Sequence, residues 1–256
     1  MRPQSHKDYI SSHLIEPFSI EKFLTDDEIK ELVKLYEEDK TKIYKNTGPV
    51  TVNVDGDIKD HPTFKQIFSR IKSIIGECEV YAAFLFYVEI PHIIHNDDAY
   101  NYPLIHKGIA IPLQINYESE DTGYPSLCFF DQYYLEGPSK FFQGSKDIPT
   151  FYNKCVYDYT DVRDKSNQKI NPVIKAKYFT HLKDQWLEGL SFKSAQSWIP
   201  GNAIFFDCAR LHAASDFKTQ GIKSKLGLSI FTFLDPNKVI SEDVVDEREL
   251  LQHSES

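Results

Sequence analysis

The chain has 256 residues, 41% of them hydrophobic and 26% charged, with a formal net charge of −9; that is enough for one domain with a sizeable core and has the profile of an ordinary soluble protein. The acidic balance disfavours nucleic acid as a partner, because a protein that tracks a phosphate backbone carries a basic face, although the lysine-rich stretch at 163–183 offers a local patch. A polar N-terminus, no apolar run near the roughly 20 residues of a membrane span, and four cysteines without a C-x-x-C pair predict a cytoplasmic protein, off the membrane, with reduced thiols.

In chain order, two amphipathic helices come first. Thr25-Asp26-Asp27-Glu28 is a capping box, with Thr25 as N-cap and Glu28 three residues on, and Ile29, Leu32, Val33 and Tyr36 follow at helical spacing. A second helix starts at Pro62, carries the stripe Phe64, Ile67, Phe68, Ile71, Ile74 and Ile75, and stops at Gly76. From residue 79 the period changes to that of strands, at 79–90, 108–118, 126–134, 203–208 and 225–234. The 18 Phe and 15 Tyr favour such a sheet-rich core. Residues 135–200 show little period and read as an insertion with some helix. The charged tail after 234 contains one short helical stretch, 241–251.

The predicted fold class is therefore mainly β with flanking helices, of the α+β kind. The organisation is one domain over 1–256: N-terminal helical support at 1–78, a core at 79–234 interrupted at about 135–200, and a charged tail at 235–256.

The strand faces carry more information than the strand count. In the last strand one face holds Leu226, Leu228, Ile230, Thr232 and Leu234, and the other Lys225, Gly227, Ser229, Phe231 and Phe233. In 108–118 one face holds Ile109, Ile111, Leu113, Ile115 and Tyr117, and the other Gly108, Ala110, Pro112, Gln114, Asn116 and Glu118. A polar face either meets solvent, the common antiparallel arrangement, or lines a ligand cavity. A buried lysine on such a face needs an anionic partner.

Ligand-type residues crowd the segment Pro91-His92-Ile93-Ile94-His95-Asn96-Asp97-Asp98. His95 and Asp97 point the same way on an extended chain, and His212 follows much later, after the strand at 203–208. One H-x-D pair and one distant His is the chain order of a 2-His-1-carboxylate facial triad, which leaves three positions of an iron ion open. Lys225 and Ser229 then share one face of the final strand, where a cation and a hydroxyl can hold a carboxylate.

His95-Asn96-Asp97, Gly201-Asn202-Ala203-Ile204-Phe205-Phe206-Asp207, Leu211-His212 and Lys225-Leu226-Gly227-Leu228-Ser229-Ile230-Phe231 together resemble the Fe(II)/2-oxoglutarate-dependent dioxygenase superfamily, in its prolyl-hydroxylase-like and phytanoyl-CoA-dioxygenase-like branches. The resemblance spans about 79–234 and implies a double-stranded β-helix, or jelly-roll, core. It implies an oxygenase, in most cases a hydroxylase, that couples oxidative decarboxylation of 2-oxoglutarate to substrate oxidation, with Fe(II), 2-oxoglutarate and O2 as cofactor and co-substrates. His95, Asp97 and His212 match its metal ligands, and Lys225 matches the basic residue that pairs with the distal carboxylate. Ser229 matches the assisting hydroxyl, Tyr87 a further co-substrate contact, and Gln114 and Asn116 cavity-lining residues. The basic position is more often Arg, and Lys223 competes with Lys225 for it.

Asp98 is an alternative carboxylate of the wrong parity, and Asp207 reads as a supporting residue. A set of His92, His95, His106 and His212 would instead make a cupin-like metal enzyme of another class, such as an isomerase. A non-catalytic jelly-roll binding module is the third reading. The substrate is a small molecule or a conjugated or peptidyl group.

Overall fold

The computed structural model describes residues 4–39, 50–53, 61–97, 105–118, 123–135 and 169–233. The expected helix at 241–251, the alternative ligand Asp98, Cys155 and half of the 135–200 insertion (136–168) lie outside them. In chain order the elements are α1 (Gln4–Ser12), β1 (Phe18–Ile20), α2 (Asp26–Asp39), β2 (Val50–Asn53), α3 (Pro62–Ile75), β3 (Glu79–Val88), β4 (Ile105–Tyr117), β5 (Ser126–Tyr133), α4 (Pro172–Tyr178), α5 (Asp184–Leu187), β6 (Phe192–Ser197), β7 (Ala203–Asp207), β8 (Arg210–Ala214) and β9 (Ile222–Phe233).

The strands form a six-stranded sheet, β1-β7-β4-β9-β3-β2, and a three-stranded sheet, β6-β5-β8. Every named pair is antiparallel. A bridge between His95 and His212 extends the smaller sheet past β8. Numbering the segment around His95 as the second of eight strand positions, between β3 and β4, gives sheet orders 1-8-3-6 and 2-7-4-5. This is the two-sheet wrap of a jelly roll. β1 and β2 add to the edges of the larger sheet, so the 1–78 region contributes strands as well as helical support.

The oily faces of β4 and β9 turn outward, toward α2 and α3. Leu32, Tyr36, Phe64, Ile67 and Ile71 pack against Leu85, Ile109, Ile111, Phe205, Leu226, Leu228 and Ile230. α2 starts as its capping box requires: Glu28 N–H donates to Thr25 Oγ1 at 3.3 Å, and Thr25 N–H to Glu28 Oε2 at 2.8 Å. α3 ends at Gly76, whose φ of 85° suits a residue without Cβ. On the far side, Phe130, Phe179, Leu187, Leu190 and Leu211 close a second core over the smaller sheet.

Three boundaries differ from expectation. A helix, α1, precedes the two predicted ones. Residues 192–197, assigned to the insertion, form the core strand β6; it is a half-exposed edge strand of sequence FKSAQS, which leaves little apolar alternation to read. His212, expected only to follow the strand at 203–208, sits within a buried strand of its own, β8. No described helix is long and apolar enough to cross a membrane. The three described cysteines, Cys78, Cys128 and Cys208, are buried free thiols.

Candidate functional site

His95 and His212 are brought together by backbone pairing. His95 N–H donates to His212 O at 2.9 Å and His212 N–H to His95 O at 2.8 Å, the reciprocal exchange of a hydrogen-bonded antiparallel pair, which sets the two residues directly opposite. Their rings stand 4.3 Å apart between centroids. Asp97 N–H donates to Cys208 O at 2.9 Å, which fixes the carboxylate beside them. His212 Nε2 lies 3.2 Å from Asp97 Oδ2, and His95 Nε2 lies 3.5 Å from Asp97 Oδ1.

One donor atom from each of the three residues falls within 4.8 Å of the others, and this is the one such cluster among the described residues. Each imidazole is held by its other nitrogen: His95 Nδ1 lies 2.7 Å from Ile93 O and His212 Nδ1 lies 2.9 Å from Arg210 O. A proton on Nδ1 satisfies those carbonyls and puts the lone pairs on the Nε2 atoms, beside the Asp97 carboxylate, the tautomer a metal ligand needs. Two such nitrogens and one carboxylate oxygen suit a divalent transition metal and leave its remaining positions open.

The triad lines a cavity of about 380 Å³ between the two sheets. Lys225, Ser229 and Phe231 of β9, Phe84, Phe86 and Val88 of β3, Phe206 of β7 and Trp198 complete most of the wall. The polar face of β9 is thus the cavity face. Lys225 is 4% exposed, and its ammonium lies 4.0 Å from the centroid of the Trp198 ring and 5.4 Å from that of Phe217. Among the described residues no carboxylate pairs with it. Burial pulls its pKa down to about 7, with the Cys128 thiol as the one opposing influence; burial pushes that thiol upward in turn. Lys223 shares the parity of Lys225, but it falls at a break in the β4–β9 register, is exposed and does not line the cavity, so of the two competing lysines only Lys225 faces the cavity.

Three expected cavity contacts are corrected. Tyr87 lies on the other face of β3, where it stacks on Tyr36 and donates to Glu89 Oε1 at 3.2 Å; its neighbours Phe86 and Val88 line the cavity instead. Gln114 and Asn116 bond to each other at 3.1 Å, and Asn116 donates to Ser224 Oγ at 2.9 Å, outside the cavity. The cause is a β-bulge. Pro112 pairs with Gly227 and Gln114 with Leu226, leaving Leu113 as an extra residue that reverses the parity of β4. A proline, which has no N–H to give to a ladder, marks this spot, and that was the one sequence signal available.

The four-histidine alternative is not assembled. His106 lies near Tyr9 and His13, and burial, helped by Lys107, lowers its pKa to about 3. His92 does reach the cavity rim, its ring 4.0 Å from that of His95. Trp198 is a cavity residue that sequence reasoning missed, as it missed Phe86 and Val88; Trp198 lay inside the stretch read as insertion.

No sequence-family profile matches the chain, and no curated protein sequence matches it. Similar solved structures include the non-haem α-ketoglutarate-dependent carbocyclase SnoK from nogalamycin biosynthesis, at 15% identity, 91% of this chain and 84% of that chain, with a TM-score of 0.49. A Pseudomonas putida prolyl-4-hydroxylase is similar at 10% identity, 89% and 96% coverage and a TM-score of 0.47. HygX from Streptomyces hygroscopicus, with nickel and 2-oxoglutarate bound, is similar at 12% identity, 91% and 88% coverage and a TM-score of 0.47. At these identities residue roles do not transfer, so the chemistry of this chain is read from its own side chains.

Proposed function

We propose that the protein is a non-haem Fe(II)- and 2-oxoglutarate-dependent oxygenase that hydroxylates its substrate. The observation that supports this most is the pairing, in one cavity, of a preformed His95/Asp97/His212 donor set with a buried ammonium, Lys225, that no described carboxylate neutralises. A metal triad alone suits many enzymes. A triad and a waiting cation at two places in one largely apolar pocket suit a ligand that chelates metal at one end and carries a carboxylate at the other.

In this reading His95, Asp97 and His212 hold the iron from one side. Lys225 receives the distal carboxylate of 2-oxoglutarate, with Ser229 on the same strand face as a hydroxyl donor. Val88, Phe86 and Phe206 exclude water, which strengthens each of these charge contacts. When bound, iron and 2-oxoglutarate supply the oxygen activation and the decarboxylation to succinate and carbon dioxide that drive substrate oxidation. The aromatic and aliphatic wall suits an apolar portion of a small-molecule, conjugated or peptidyl substrate.

The test is an anaerobic optical titration with Fe(II) and then 2-oxoglutarate. The expected result is a visible charge-transfer band that requires both additions. It disappears in Asp97→Ala and His212→Ala, together with substrate-stimulated succinate formation. Metal binding with no band would support a metal enzyme of another class. Absence of divalent metal binding would support a non-catalytic module.

A further inference from the structure

We infer that the indole N–H of Trp198 is a third donor of the co-substrate pocket, completing with Lys225 and Ser229 a site for one carboxylate of a short dicarboxylate. The inference rests on the oxygenase reading for the identity of the ligand, and on the geometry of Trp198 for the site itself.

Trp198 is 2% exposed, lines the cavity, and its Nε1 has no hydrogen-bond partner among the described residues. A buried N–H without an acceptor is costly and uncommon in native proteins, so this one calls for an acceptor. Its position says where that acceptor comes from. Gly227 lies between Lys225 and Ser229 on the cavity face of β9, and a Cβ built there would come within 2.7 Å of Trp198 Cζ2. Cζ2 is bonded to the ring carbon that carries Nε1, so the nitrogen edge of the indole lies against this stretch of β9.

The Lys225 ammonium meanwhile sits over the face of the same ring, 4.0 Å from its centroid. One indole therefore carries a cation on its face and has its N–H edge beside the stretch of β9 between Lys225 and Ser229. A carboxylate can take one oxygen to Lys225 and the other to Nε1 without breaking the cation–π contact. The ring is held for this task. Trp198 N–H donates to Pro125 O at 2.7 Å, and Phe86 packs edge-on against the indole with centroids 5.8 Å apart. A lysine lacks the two-pronged fork of an arginine, and the indole N–H supplies the second prong.

The experiment follows the Trp198 indole N–H by nuclear magnetic resonance in the Zn(II)-loaded protein. The chain has 2 Trp, so Trp186→Phe assigns the two indole signals. The expected result is a downfield shift of the Trp198 signal on adding 2-oxoglutarate or glutarate, and none on adding 2-oxobutyrate, which lacks the distal carboxylate. Trp198→Phe, which keeps an aromatic face and deletes the N–H, is expected to weaken 2-oxoglutarate binding roughly tenfold or more and to leave 2-oxobutyrate binding unchanged. An unmoved Trp198 signal, or an equal loss for both ligands in Trp198→Phe, overturns the inference. The Fe(II)/2-oxoglutarate absorption band judges the oxygenase reading separately. A band with an unmoved indole signal refutes the third donor alone. A glutarate-dependent shift without a band keeps the dicarboxylate site and refutes the oxygenase.

Discussion

Two buried lysines divide the molecule into a part that satisfies itself and a part that waits for something else. Lys107 and Lys225 are 3% and 4% exposed, respectively. Lys107 forms an ion pair with Asp207 and donates to His13 O at 2.5 Å, while Asp207 accepts from Ile15 N–H at 2.8 Å. That network pins the segment after α1 to β4 and β7, and every member of it has a partner. Lys225 has aromatic rings about it and no described anion. Burial depth is the same for both; what differs is whether the chain supplies the counter-charge. Where it does, the group belongs to the fold, and where it does not, the group points to a ligand.

Substituting one residue at each place breaks the comparison most directly. Asp207→Ala leaves Lys107 buried and uncompensated and is expected to lower unfolding stability by about 3–5 kcal/mol in a denaturant titration. Lys225→Met has the opposite character. It removes an ammonium whose burial no described carboxylate offsets, so stability without ligand is expected to hold or rise, while 2-oxoglutarate affinity falls by about 2–5 kcal/mol, measured by calorimetry on the Zn(II)-loaded protein. A large stability loss in Lys225→Met would show that an intramolecular partner exists and would remove the contrast.

The same contrast sorts what was legible in the sequence. That His95, Asp97, His212, Lys225 and Ser229 share one cavity could be read because each placement depends on local parity or chain order. Tyr87, Gln114 and Asn116 were misplaced for two different reasons. Tyr87 has the parity of the outer face of β3, where Tyr36 of α2 receives its ring. The other two lie beyond the bulge at Leu113, and one extra residue turns every later side chain over. The counter-charge of Lys107 could not be foreseen at all. Asp207 is distant in sequence, and only the pairing of β4 with β7 sets Lys107 opposite it. Trp198 was hidden because β6 has too little apolar alternation to announce a core strand.

Proton linkage gives a subtler separation. Burial holds the folded pKa of Lys225 at about 7, below its ordinary value of 10.5. Between those two values the unfolded chain binds more protons than the folded one, so stability contributed by this group rises with pH across that window. Below about 7 both states are protonated and the contribution is flat. Ligand binding runs the other way. A dicarboxylate favours the charged ammonium, so above pH 7 binding must take up a proton and affinity falls as pH rises. Calorimetry in buffers of different ionisation enthalpy is expected to show proton uptake at pH 8 and none in Lys225→Met.

Gly227→Ala tests the cavity wall with a smaller change. The added methyl would come within 2.7 Å of Trp198 and 2.8 Å of Phe86. Overpacking of this kind costs about 1–3 kcal/mol of stability. Because the ring that moves is the one under Lys225, 2-oxoglutarate affinity is expected to fall with it, a joint loss that Asp207→Ala need not show.

The smallest effect belongs to a residue that serves the fold alone. Thr25 caps α2, and Glu28, its reciprocal partner, also binds Arg70 of α3 at 2.5 Å. The Arg70 and Thr25 contacts outweigh partial burial and hold the Glu28 carboxyl below the usual carboxylate range. Thr25→Ala removes one cap acceptor and leaves the Glu28–Arg70 pair in place, for an expected loss of about 1 kcal/mol. α2 touches the outer face of the larger sheet and contributes nothing to the cavity wall, so metal and 2-oxoglutarate affinities measured by titration are expected to be unchanged. If this distant cap altered ligand binding as much as Gly227→Ala does, the boundary between the self-satisfied shell and the waiting cavity would not exist, and Lys225 would have to be explained as part of the same cooperative unit as Lys107.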